Sequence, residues 1–289
     1  MPDNAMNLLS IMADNAIRDL DIMGGEPFLL PWMPSFIHAF VRAGIKVNIS
    51  TNGSIPEALD ALAGIAPGML DIGVSLEGST AEKHNFLTRA RNFDAAIQSI
   101  SLLESLGFDP IVKTVLSRKS MADIPAIVAL LKTLGVRRFY LIHLDLFSAS
   151  PAAREDAMGY SAFRQFHESI RAQNRELDIN RVNASCFEKD RLPAGVRCAG
   201  GVRKLSVMPD GSVYPCNLFQ HFPEFRVGNI FSDDFADMWQ SPMFDLFRRA
   251  GENRCGLEGC SNRESCTGGC PAHARYHALA ADAADVRCL

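Results

Sequence analysis

No cysteine precedes Cys186 in this 289-residue chain, so the first part of the sequence has no thiol to bind a metal, close a disulfide or attack a substrate. A secretory leader, basic and then apolar, is not in evidence at the N-terminus. A reducing, cytoplasmic compartment is therefore the expectation, and a disulfide framework is disfavoured. A chain this long also buries a core of its own and has little need of covalent staples. Long apolar runs are missing: Ile124–Leu134 is interrupted by Lys132 and is too short to span a bilayer, so no membrane association is expected. There is no excess of positive charge either. A formal net charge of −4 leaves no electrostatic footprint for nucleic acid or an anionic lipid surface. Low-complexity tracts are absent, and the polar segment Ser148–Gly159 is the one expected linker. What remains, 47% apolar and 21% charged, is an ordinary globular composition for one large domain and a smaller one.

The cysteines that are present crowd the C-terminal part: Cys186, Cys198, Cys216, Cys255, Cys260, Cys266, Cys270 and Cys288. A cubane iron-sulfur cluster takes four thiolates, so eight fill two clusters with none left over. Zinc stays open as a second reading, because four-cysteine sites suit that metal equally well. Inert buried thiols are a third. Structural zinc sites bring ligands in close pairs, whereas from Cys255 onward the intervening gaps are four, five, three and seventeen residues, which favours iron and sulfide.

Upstream, short β-branched runs alternate with helical patterns, the signature of a parallel βα architecture. Strands are predicted at Asp19–Met23, Lys46–Thr51, Asp71–Leu76, Asp109–Leu116 and Arg137–Leu144. Helices are predicted at Phe36–Ala43, Pro56–Ala63, Asp94–Leu106 and Ile124–Leu134. In a parallel βα barrel the functional groups sit where strands end. Three strand ends carry a polar residue beside a glycine: Gly24-Gly25-Glu26-Pro27, Ser50-Thr51-Asn52-Gly53 and Ser75-Leu76-Glu77-Gly78. Each alone reads as turn chemistry, but three in register favour a shared ligand site.

Met23-Gly24-Gly25-Glu26-Pro27 resembles the GGEP motif of the radical S-adenosylmethionine (SAM) superfamily, and Gly73-Val74-Ser75-Leu76-Glu77-Gly78 resembles its VSLDG segment, with Glu77 where Asp is usual. The C-terminal array is similar to the SPASM domain of one subfamily. Cys198-x12-Gly211-x4-Cys216 and Cys260-x5-Cys266-x3-Cys270 match its spacings, and Cys270-x17-Cys288 closes the array; the four residues between Cys255 and Cys260 depart from the usual two. The resemblance implies an α/β fold, a partial parallel (β/α) barrel of radical SAM type over residues 1–150. A helical connector (151–185) and a cysteine-rich SPASM iron-sulfur domain (186–289) would follow. It implies that Gly24, Gly25, Glu26 and Pro27 face the SAM amino group, that Ser75 and Arg89 hold its carboxylate, and that Leu144 lies against adenine. It also implies two auxiliary 4Fe-4S clusters, one on Cys186, Cys198, Cys216 and Cys270, the other on Cys255, Cys260, Cys266 and Cys288.

The family also holds a catalytic cluster on a Cys-x3-Cys-x2-Cys loop after the first barrel strand, and this sequence has no such loop. The first strand and that loop are expected to be missing, with Asn4–Ile17 as the helix that follows them, so the chain is read as a truncated form. The implied activity of the family is reductive SAM cleavage to a 5′-deoxyadenosyl radical that modifies a peptide or protein side chain, fed by a flavodoxin or ferredoxin. The alternatives are a degenerate, non-catalytic iron-sulfur protein that binds peptide or passes electrons, and a zinc-stabilised binding protein. Sulfatase-maturing members carry Asp directly after the cysteine matching Cys216; here Asn217 cannot accept a proton at neutral pH, so a peptide modification is favoured. Asp145 and Asn217 are the candidate catalytic positions, with His143 and Tyr214 as further acid-base groups. Protein prepared anaerobically is expected to be brown, with iron and acid-labile sulfide near the stoichiometry of two cubanes. A colourless, zinc-only protein after reconstitution would overturn the iron reading.

Overall fold

The computed structural model describes residues 3–147, 150–188, 190, 192–248, 260 and 262–288. The chain divides into two compact units, one formed by residues up to 144 with 165–182, the other by 145–164 with 183 onward.

The first unit is built on six strands: β1 (Asp19–Ile22), β2 (Lys46–Thr51), β3 (Leu70–Ser75), β4 (Ile111–Leu116), β5 (Arg138–His143) and β6 (Asp178–Val182). Each pairs in parallel with the next, in sequence order. Parallel neighbours cannot be joined by a hairpin, so the chain returns through crossovers that include the helices Met33–Arg42, Phe93–Ser105, Ile124–Thr133 and Tyr160–Gln173. Same-handed crossovers between sequential strands place every return on one face, and the sheet curls as a partial (β/α) barrel. The helices bury stripes at helical spacing: Phe36, Ile37 and Phe40; Ala96, Ile100 and Leu103; Ile124, Ile127, Val128 and Leu131. Alternate strand residues, Val47, Ile49, Ile72, Val74, Val112, Phe139 and Leu141, are buried as well. The intervening residues are polar and half-buried, among them Asn48, Ser50, Ser75, Lys113 and Tyr140. Ser75, Lys113, Tyr140 and Asn180 fall in one register row across β3 to β6.

The five predicted strands are present, with ends shifted by at most two residues. Helix Pro56–Ala63 is not: the segment makes two 3-10 turns, Pro56–Ala58 and Asp60–Leu62, whose carbonyls serve i+3 donors. The turns bury Leu59 and Leu62, and the chain leaves helical geometry at Ala63, φ −51° and ψ 139°, just before Gly64. Strand β6 lies in the span expected to be a helical connector. Its sequence, Asp-Ile-Asn-Arg-Val, buries only Ile179, so no alternation announces it, and pairing with β5 decides its conformation. The expected linker also holds a short helix, Pro151–Asp156, begun by proline in its first turn.

The second unit has little regular structure. Its sheet is β7 (Ser206–Val207), β8 (Ser212–Tyr214) and β9 (Gly228–Asn229), all antiparallel. Pro209-Asp210-Gly211, between Lys204–Met208 and Ser212–Tyr214, predicts a β-hairpin, because Pro sets φ and Gly allows φ > 0, and β7 and β8 form it. The Asp210 carboxylate accepts the Ser212 N–H and hydroxyl, each at 2.9 Å, and Gly211 sits at φ +84°. A Cβ on Gly211 would lie 2.5 Å from Asn229 Oδ1 and from Phe231 Cδ2. The remaining order comes from an aromatic core, where Phe219 packs on Phe225 at 4.4 Å and edge-on to Phe247 at 5.4 Å.

Gly211→Ala should cost about 2–4 kcal/mol, combining a left-handed backbone with a steric clash. Gly195→Ala, at φ +78° in open space, should cost about 1 kcal/mol. Denaturant midpoints check the pair; equal losses would mean that the crowding at Gly211 does not matter.

Candidate cofactor and cluster sites

Glu26, one of the residues expected at the SAM amino group, is held by its own loop. Its Oε1 accepts the Phe28 N–H at 3.1 Å and the Thr51 hydroxyl at 2.8 Å, and Oε2 accepts the Asn52 N–H at 2.7 Å. The carboxylate thus ties the turn after β1 to the end of β2. Pro27 is buried and opens a 3-10 turn. Gly24 adopts φ +148°, and a Cβ on Gly24 or Gly25 would meet no protein atom within 4 Å, so the backbone edge beside them is open to a ligand.

The loop after β2 is structural. Gly53 sits at φ +68° and its Cβ position lies 2.9 Å from Ala96 Cα; Asn92 and Ser99 hydrogen-bond the Asn52 and Gly53 carbonyls. After β3, Ser75 is half-buried, and Gly78 has no room for a Cβ because His84 N would lie 2.4 Å away. The Glu77 N–H donates to His84 Nδ1 at 3.0 Å, which leaves the proton on Nε2, 3.1 Å from Asn92 Oδ1. Burial pushes the Glu77 carboxyl up to about 7, against the opposing effect of the Val115 N–H that it accepts at 2.9 Å. Arg89 caps helix Ala81–Thr88 in the left-handed region, at φ +55°, with an exposed position. A non-glycine residue there is uncommon and directs its side chain away from the helix. Leu144 is half-buried just past β5. On the polar face of the sheet, Lys113 Nζ donates to Ser50 Oγ at 2.8 Å; burial lowers its pKa, while Asp21 and Asp71 oppose that.

In the second unit the structure gathers Cys186, Cys198, Cys216 and Cys270 into one group. Cys186, Cys216 and Cys270 are buried beside the phenylalanine core, and Cys198 packs against it. Cys186 lies in the 3-10 turn Ser185–Phe187, Cys216 follows β8, and Cys270 caps helix Pro271–Ala278. Burial pushes Cys216 up to about 12, with the neighbouring Cys270 and Cys198 adding to it. The Cys186 thiol hydrogen-bonds Cys270, holding Cys270 well below the usual thiol range, with His273 helping and burial opposing. Four sulfurs, three of them buried and all within electrostatic reach of a neighbour in the group, form a soft donor set, and they fit a metal or an iron-sulfur cluster.

The surroundings of Cys270 were not foreseen. Asp285 Oδ2 accepts the Cys270 N–H at 3.0 Å and the Arg287 Nη2 donor at 2.9 Å. Arg287, 1% exposed, also reaches Asp145 Oδ1 at 2.9 Å and lies over the Phe187 ring. Burial would raise Asp285, but Arg287 holds it below the ordinary carboxylate range. Gly269 permits the close approach, since its Cβ would lie 2.5 Å from Asp285 Cβ. Asp145, a candidate catalytic group, is therefore an ion partner of Arg287, with His273 Nε2 3.5 Å away; burial raises its pKa and these partners oppose that. Tyr214 is buried in the hairpin and His143 is buried on β5. Asn217 is half-buried in the turn after Cys216. A composition scan of the sequence could not single out His273, Asp285 or Arg287, although Arg287 does stand beside Cys288.

Of the other expected set, Cys260, Cys266 and Cys288 are partly buried, and Cys266 Sγ accepts the Gly268 N–H at 3.3 Å. Cys255 lies outside the described residues. All seven described cysteines are free of disulfides. No described helix is long and apolar enough to cross a membrane.

Residues 2–130 match the radical SAM superfamily, and residues 198–271 match SPASM, an iron-sulfur cluster-binding domain. The chain is 26% identical over 270 residues to the antilisterial bacteriocin subtilosin biosynthesis protein AlbA of Bacillus subtilis, covering 90% of this chain and 58% of AlbA. It thus spans little more than half of that relative. It is 28% identical over 291 residues to the mycofactocin maturase MftC of Mycobacterium tuberculosis, covering 93% of this chain and 70% of MftC. Among solved structures, Streptococcus suis SuiB bound to its precursor peptide SuiA superposes with a TM-score of 0.80 at 18% identity, over 99% of this chain and 68% of SuiB. That likeness concerns the fold.

Glu77 makes stability depend on pH. Between the ordinary glutamate value of 4.5 and about 7, the folded chain keeps a proton that the unfolded chain has lost, so this group's contribution falls as pH rises. The full effect is on the order of 3 kcal/mol at most. Glu77→Gln should flatten the pH dependence of unfolding free energy across that window. Parallel profiles for the two proteins would remove Glu77 as the cause.

Proposed function

The chain belongs to the radical SAM/SPASM proteins, its two units carrying one domain each, and from that premise we propose that it is the SAM-binding and auxiliary-cluster part of an enzyme that modifies a ribosomally made peptide. The carrying observation is the buried group of Cys186, Cys198, Cys216 and Cys270 in the same chain as an open backbone edge at Gly24 and Gly25. When bound, SAM with a reduced cluster supplies a 5′-deoxyadenosyl radical, which abstracts hydrogen from the substrate.

The chain's own residues bind and orient. The Gly24–Gly25 edge, shaped by the Glu26 brace, would take the SAM amino group. Ser75 and Arg89 would take its carboxylate, and Leu144 would pack on adenine. Cys186, Cys198, Cys216 and Cys270 would hold one auxiliary 4Fe-4S cluster, and Cys255, Cys260, Cys266 and Cys288 a second. The names of AlbA and MftC and the peptide seen with SuiB support a precursor peptide as substrate. Asn217 in place of a carboxylate supports a reaction other than the sulfatase type, because an amide does not take up a proton at neutral pH. A flavodoxin or ferredoxin would supply electrons. Since the barrel residues here include no thiol, SAM is expected to bind weakly, through its amino-acid end.

SAM affinity, measured by calorimetry on the reconstituted chain, should fall about tenfold or more in Arg89→Ala, the value of one charge-assisted contact. A form carrying a Cys-x3-Cys-x2-Cys loop ahead of residue 3 should release 5′-deoxyadenosine with dithionite, and the 289-residue chain should not. Turnover by the chain itself, or SAM affinity indifferent to Arg89, would overturn the assignment.

A further inference from the structure

His273 is fully buried on helix Pro271–Ala278, one turn beyond Cys270, with Phe147 packed on its ring at 4.5 Å. Its two nitrogens have different fates. The Leu146 backbone N–H donates to Nε2 at 2.9 Å, so Nε2 presents a lone pair and the ring proton of the neutral imidazole is on Nδ1. Nδ1 is buried and has no hydrogen-bond partner of ordinary geometry among the described residues. A buried donor left without an acceptor costs about 1–3 kcal/mol. Two acceptors lie near the ring: a His273 nitrogen, Cys270 Sγ and an Asp285 carboxylate oxygen are within 4.8 Å of one another. The Asp285 carboxylate is engaged by Arg287 and by the Cys270 N–H.

The same three residues could be taken for a metal-ligand triad. Ligation through Nδ1 would move the proton to Nε2 and set it against the Leu146 N–H at 2.9 Å, two donors facing each other. Ligation through Nε2 would displace the Leu146 N–H from its acceptor. In this tautomer Nδ1–H is a donor, and neither ring nitrogen can ligate iron while the Leu146 N–H keeps its acceptor.

We propose that His273 is a positioning residue that donates an Nδ1–H···S hydrogen bond to Cys270, drawing charge from that sulfur and raising the reduction potential of the auxiliary cluster that Cys270 holds. The inference rests on the cluster assignment above. Hydrogen bonds to ligand sulfurs stabilise the more negative, reduced cluster, and such bonds are one of the protein's means of tuning its potential. Leu146 and Phe147 fix the ring, so the donor stays aimed.

The test uses the anaerobically reconstituted 289-residue chain and a redox titration followed by EPR. His273→Ala should lower one midpoint potential, changing the reduced-to-oxidised ratio about tenfold at fixed potential, or about 59 mV for a one-electron couple. Any other cluster should be unmoved. His273→Asn, whose amide N–H lies near the position of Nδ1, should restore much of the shift. If the alanine variant does not fold, pulsed EPR on the unmutated protein labelled with 15N-histidine still decides. An exchangeable proton coupling with no directly bonded nitrogen is expected. A bonded-nitrogen coupling, or potentials identical in all three proteins, would overturn the hydrogen bond. Failure to assemble any iron-sulfur cluster in the unmutated chain would instead overturn the cluster reading beneath it.

Discussion

Four sulfurs brought to one buried place set the terms for the whole C-terminal unit. Thiolates there lose their water and repel one another, which is why burial drives Cys216 up to about 12. A soft multivalent cation or cluster removes that conflict, and its binding energy then becomes folding energy. Among its described residues the unit has few other means of support: three strands of two or three residues, a few short helices and a phenylalanine core. Segments such as Ser185–Phe187, the β7–β8 hairpin and Cys270 are far apart in sequence and converge on the sulfurs.

Around that point charged groups are used as braces. Arg287 would be costly to bury alone, but Asp285 and Asp145 accept from it, and Asp285 in turn accepts the Cys270 N–H. Glu26 does the same at the other site, accepting three donors from two loops and so shaping the glycine turn without presenting a free carboxylate. In both places the side chain with the most obvious chemical potential holds backbone in position. Glu77 differs: its carboxylate accepts the Val115 N–H inside the barrel unit, and burial pushes its pKa up to about 7.

The barrel unit follows a simpler rule. Alternation along each strand buries valine, isoleucine and leucine under the helices and leaves a polar row, Ser75, Lys113, Tyr140 and Asn180, across four neighbouring strands. That row offers hydroxyl, amine, phenol and amide groups on one face of the sheet, polar chemistry that the buried alternate residues do not provide.

Strands β1 to β5, the helices with apolar stripes and the Pro209-Asp210-Gly211 hairpin were legible because local periodicity and turn chemistry act over a few residues. The eight cysteines and their spacing likewise named the donor type and the family. Strand β6 was hidden because its own residues carry no pattern and only β5 gives it a partner. Pro56–Ala63 forms 3-10 turns where a helix was expected, because apolar spacing over one short segment does not separate an α-helix from consecutive 3-10 turns. The sequence by itself determined the chemistry available: thiols, the glycine-bearing strand ends and the neutral Asn217. Only the tertiary structure decided which thiols meet, that Asp145 pairs with Arg287, and that Leu146 sets the tautomer of His273. The last two contacts join residues more than a hundred positions apart, and hydrogen bonding at that range depends on the packed geometry and leaves no spacing to read.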